Sequence, residues 1–133
     1  MTSNLARGAR YVLAGIRLVN GALGLVAPHR LIERIDPGSG ANPAAVYAFR
    51  LFGVRTVLLG AELIVSTGER RREVVRQGVL IHASDTVASA LLGIRGLLPR
   101  RTALMLVLIS ATNTALALTA LEEKLALTAL EER

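Results

Sequence analysis

Between Thr102 and Leu121 the sequence runs for twenty residues without a charged side chain. That is the length needed to cross a bilayer hydrocarbon core of ~30 Å as a helix. The stretch is apolar all round, and a soluble bundle of 133 residues has no means of burying an entire helix. Three further apolar stretches precede it: Tyr11 to Ala27, Ala44 to Ser66, and Val74 to Ile94. Clusters of Arg, Glu, Pro and Gly separate them. The pattern predicts an all-α, four-transmembrane-helix bundle with short loops over residues 1–121, followed by a helical C-terminal tail over 122–133. The seventeen residues of the first stretch sit at the lower limit for spanning. No small-residue cleavage site follows that stretch, so it is read as a retained span rather than a signal peptide.

Charge placement agrees with lipid as the solvent. The net charge is +6, carried by arginines at the segment boundaries, and the aromatic residues are two Phe and two Tyr. A nucleic-acid surface needs a basic stripe with stacking aromatics, so nucleic acid is excluded as a partner. Arginines flanking apolar spans instead set orientation. With both termini inside, eight basic residues (Arg7, Arg10, Arg70, Arg71, Arg72, Arg76, Lys124, Arg133) face five outside (Arg30, Arg34, Arg95, Arg100, Arg101). This predicts cytoplasmic termini. The near absence of lysine points to a GC-rich bacterial genome and hence to the bacterial cytoplasmic membrane. Without cysteine there is no disulfide, thiolate metal site or thiol nucleophile.

Two smaller features add detail. Residues His29 to Ile35 form an amphipathic piece before Pro37-Gly38-Ser39-Gly40, which predicts a short interfacial helix and a turn. At the other end, Leu116 to Lys124 is repeated as Leu125 to Arg133. Nine residues are two and a half helical turns, so the copies face opposite ways, and the tail beyond Glu122 is expected to be dispensable for folding.

The candidate site residues are Arg17, Arg50, Arg55, Glu62, His82 and Asp85. The second stretch frames the problem they pose. Its 11 Leu, Ile, Val and Phe residues favour insertion by roughly 3 to 7 kcal/mol, while three central charges oppose it by roughly 7 to 10. Partners inside the bundle must compensate. Counting at about 1.5 Å per residue places Arg55 and Asp85 at a common depth near mid-membrane, which predicts that they pair. The same count matches Arg17 with Glu62, and leaves Arg50 to snorkel toward headgroups. His82, Asp85 and Ser89 share one helical face. Two histidines in separate segments do not supply three metal ligands, so no metal and no cofactor is expected. Glycines explain how the helices pack: Gly21 and Gly24 lie alongside Arg17 and Asn20 on the first helix, and Gly53 and Gly60 alongside Thr56 on the second.

Several of these elements, in order, resemble the DoxX-like group of small four-helix bacterial membrane proteins. They are Gly15-Ile16-Arg17 with Gly21 and Gly24, Ala27-Pro28-His29-Arg30, Phe49-Arg50-Leu51-Phe52-Gly53-Val54-Arg55, and His82-Ala83-Ser84-Asp85. The resemblance implies a four-helix bundle and brings no activity, cofactor or catalytic residue. The expected role is an accessory or structural subunit of a membrane assembly, with a membrane protein or a second copy as partner. The alternative is binding or transport of a lipid, quinone or other hydrophobic ligand within the bundle. An enzyme using His82 and Asp85 ranks third.

Overall fold

The computed structural model describes residues 2–38 and 42–131, and side chains over 4–38 and 42–121. Every regular element among them is helical: α1 (Thr2–Val26), α2 (Pro28–Ile35), α3 (Pro43–Val65), α4 (Gly68–Ile94) and α5 (Arg100–Glu131). Local chemistry sets the boundaries. Pro28 and Pro43 stand at first-turn positions, where the missing N–H costs nothing. Asn42 caps α3, its Oδ1 accepting from the Ala44 and Ala45 amides at 3.0 and 3.3 Å. Gly38, at φ +87°, takes the left-handed turn after α2 that a side chain would resist. Ser39 and Gly40 of the expected turn, and the side chains of the second nonapeptide copy, lie outside the described residues. The backbone of α5 continues through the first copy and on to Glu131.

The four long helices alternate in direction, and α2 lies across one end. α1 is the central helix, packed along α3 and α5, while α4 packs chiefly on α5. Antiparallel pairing of α1 with α3 is drawn tight by glycine. A Cβ at Gly53 would lie 2.7 Å from both the Gly21 carbonyl oxygen and the Leu25 amide nitrogen, and one at Gly24 2.8 Å from the Phe49 carbonyl oxygen. The two backbones therefore touch, as the sequence led us to expect of these glycines. In contrast, α3 and α4 touch little beyond their short connection at Ser66 and Thr67.

The apolar core occupies the end of the bundle at that connection. There Ala9, Leu13 and Ala14 of α1 meet Leu63 of α3, Val74 and Val75 of α4, and Ala117 and Ala120 of α5. Every long helix contributes, and Leu13, Leu63 and Val74 are fully enclosed. Arg10 is an exception to its expected place among the flanking charges. It is buried in this half, with its guanidinium carbon 4.6 Å from the centre of the Tyr11 ring.

The outside of the bundle is apolar on all four long helices. Val12 and Val19, Leu51 and Leu58, Leu80 and Val87, and Leu104 and Leu108 all face outward. Two segments, Asn4–Val26 in α1 and Arg100–Leu121 in α5, are long and apolar enough to cross a membrane. Only 17% of the α5 window is buried, so its apolar surface points away from the protein rather than into a core. With 23 and 27 residues, α3 and α4 have the length to span, but charged residues reduce their hydropathy.

Candidate functional site

Where α3 and α4 part, a cavity of about 380 Å³ opens toward the α2 end of the bundle. All five helices line it. α1 supplies Ile16, Arg17 and Asn20, while α2 covers the end with Leu31, Arg34 and Ile35. From α3 come Phe49, Phe52 and Arg55, the two rings meeting edge to face at 6.3 Å. The α4 face contributes His82, Asp85, Ser89 and Leu92, and α5 closes the back with Met105, Ile109 and Ser110.

Arg17 anchors the inner end. Its side chain is 2% exposed and passes between α3 and α4 at two glycines. A Cβ at Gly60 would lie 3.1 Å from the Arg17 Cβ, and one at Gly78 only 2.6 Å from Arg17 Nη2. Those absent side chains make the slot that admits the guanidinium. Arg17 Nη2 lies 3.1 Å from His82 Nε2, and Arg17 Nε donates to the same nitrogen at 3.4 Å. Arginine has only donors, so His82 Nε2 is the acceptor and the ring proton sits at Nδ1. Nδ1 lies on the side of Asp85, 3.9 Å from its Oδ2. Arg17 Nη1 is buried without a hydrogen-bond partner.

Of the six residues singled out in the sequence, four come together here: Arg17, Arg55, His82 and Asp85. The specific pairings differ from those expected. Arg55 lines the same cavity as Asp85 and acts on its carboxylate electrostatically, yet the two do not approach to the 4.0 Å of an ion pair. Both line the cavity, but the gap between α3 and α4 keeps the side chains apart. Arg17 does not pair with Glu62 either, because α4 presents His82 to it across the Gly78 slot. Glu62 instead forms an ion pair with Arg70. One turn from the end of α3, Glu62 faces the basic first turns of α4 as the chain doubles back, where Arg71 Nε also donates to the Ser66 carbonyl at 2.8 Å. Beside Glu62, the Arg70 guanidinium is held above its ordinary pKa, by the hydrogen bond first and the attraction second. Arg50 stands on the outside of α3, away from the cavity.

Sequence reasoning missed Arg34, Asn20 and Gly78 as parts of the site. Arg34 could have been found from its spacing, since Leu31, Arg34 and Ile35 fall on one face of the amphipathic α2. Gly78 gave no such signal, because its role depends on a side chain from another helix. Among the described residues no group of three or more His, Asp or Glu is placed to hold a metal ion. The arrangement offers no activated nucleophile. It offers convergent donors at one end of an otherwise apolar chamber. No protein-family model matches the chain, and neither a curated protein nor a solved structure matches it.

Proposed function

We propose that this chain is a multi-pass membrane protein that binds a hydrophobic ligand in the cavity between α3 and α4. The cavity carries the reading: its volume, about 380 Å³, lies within the ~300 to 1,000 Å³ of small-molecule sites, and its apolar walls with a few convergent polar groups have their usual character. All four long helices serve as spans, with α2 at the interface and both termini in the cytoplasm of a bacterial cell. The outward apolar residues on α3 and α4 support spanning by these helices, with Arg55 and Asp85 at the cavity, Glu62 at the helix connection and Arg50 left on the outer face of α3. Membership of the DoxX-like group fits this arrangement and remains part of the proposal. The subunit reading keeps one supporting observation, the sparse contact between α3 and α4.

Two measurements test the proposal. Membranes containing the protein are washed with alkaline carbonate, and the protein purified in mild detergent is examined by native mass spectrometry. Retention in the pellet together with a bound small molecule of lipid or quinone character is the expected result. Release by carbonate overturns the membrane assignment. A stoichiometric protein partner with an empty cavity overturns the ligand assignment in favour of a subunit.

A further inference from the structure

We infer that the ligand is a compact hydrophobic acid, its anionic group held by Arg17 and Arg55 and its apolar body directed toward α2. This deepens the ligand-binding reading and rests on it.

Charge balance is the first argument. The cavity gathers three guanidiniums, Arg17, Arg34 and Arg55, against the single carboxylate of Asp85. His82 adds no negative charge, being the neutral acceptor for Arg17. Arg17 is buried while Arg34, Arg55 and Asp85 are exposed, and the net positive charge along one lining favours entry of an anion.

Unused donors are the second argument. Arg17 is 98% removed from solvent contact, at 2% exposure, yet its Nη1 lacks a hydrogen-bond partner. Buried donors of charged groups are ordinarily satisfied. Among the described residues Arg55, on the facing wall, forms no ion pair within 4.0 Å. A carboxylate has two oxygens, so one can accept from Arg55 while the other meets Arg17 once the guanidinium turns its enclosed Nη1 toward the cavity.

The remaining lining fixes the other half of the molecule. From the arginines toward α2 the walls become Phe49, Phe52, Leu92, Leu31 and Ile35, an apolar chamber. Its volume suits a single short chain or a small ring system and excludes a two-chain phospholipid from full enclosure. Arg34 lines this end from α2 and adds to the positive potential of the cavity.

Calorimetry on the full chain in phosphatidylcholine nanodiscs tests the inference, with empty nanodiscs subtracted for partitioning. Decanoate is the acidic probe and decanol its neutral counterpart. Decanoate is expected to bind at least about tenfold more tightly than decanol. Arg55→Gln is expected to remove that preference and Arg55→Lys to restore part of it, while the melting temperature of each variant stays within a few degrees of the parent. A second set of nanodiscs containing phosphatidylglycerol separates sources: Arg55-dependent displacement of decanoate by that lipid identifies the anion as a headgroup. Without displacement, the anion is a free acid. Equal binding of decanoate and decanol, indifferent to Arg55→Gln, overturns the acid assignment and leaves a neutral-ligand cavity standing. Failure of both probes to bind overturns the ligand-binding reading itself.

Discussion

The half of the bundle at the α3–α4 connection and the half beneath α2 are built from the same four long helices, yet one is filled and the other hollow. In the filled half, small or branched residues from all four helices converge on Leu13, Leu63 and Val74. In the hollow half, contact is concentrated within pairs. Glycine draws α1 onto α3, and Gly93 sits where its Cβ would meet that of Ala103 at 2.6 Å, so α4 closes on α5. Between the pairs, phenylalanines and charged side chains hold the space open. The difference teaches that a helix bundle need not pack uniformly along its length. A tight end can hold the frame while the other end keeps room for a ligand. The Arg17–His82 contact marks the border between them.

The largest expected effect is a direct attempt to break this contrast. Leu13→Ala removes a fully buried side chain from the filled half and is expected to cost on the order of 2 kcal/mol, at the lower end of the ~2 to 5 typical of buried Leu→Ala changes. The lower end follows from the proposed membrane setting, in which lipid solvates apolar groups and mainly packing is lost. Ile109→Ala, on the cavity wall, is expected to cost less than about 1 kcal/mol, since its neighbours already border open space. Equilibrium unfolding in mixed micelles measures both. Equal losses would erase the distinction between the halves.

At the border the expected effect is intermediate and has a signature of its own. Gly78→Ala places a methyl 2.6 Å from Arg17 Nη2, forcing the guanidinium off His82. A buried hydrogen bond to a charged group is worth roughly 1.5 to 3 kcal/mol. Gly78→Ala and His82→Ala disrupt the same contact, so their combined loss is expected to be smaller than the sum of the two. Additive losses would show that the slot and the hydrogen bond are independent.

The two halves also differ in how far they could be read from the sequence. Helical segments, glycine faces and the amphipathic α2 were legible because each depends on periodicity within one segment. Depth counting placed Arg55 level with Asp85, and the two line one cavity, but it matched Arg17 with Glu62 rather than with His82. What it could not supply was rotation of each helix about its axis and separation between helices, and those decide pairing. Arg17 thus meets His82 rather than Glu62, and Arg55 and Asp85 share a cavity rather than a bond. Arg70 was counted only as a loop charge because the helical start of α4, six residues before the apolar stretch began, carried no apolar signal.

The smallest expected effect lies at the filled end and separates its packing from its electrostatics. Arg70 and Glu62 form an ion pair on the outside of the α3–α4 connection, with the arginine side chain 55% exposed. A solvated pair of this kind is screened by salt and contributes little. Because its pKa is raised, Arg70 contributes stability that is fully present below the unfolded-state value and lost only as pH rises through the folded one. Across neutral pH that contribution is constant. Arg70→Gln is therefore expected to lower the melting temperature slightly, by an amount that shrinks with added salt and does not vary between mildly acidic and mildly basic buffers. Differential scanning calorimetry over a salt series checks this. A large loss that added salt abolishes would mean that the ion pair, and not the Leu13, Leu63 and Val74 cluster, holds α3 to α4, and the filled half would owe its closure to charge.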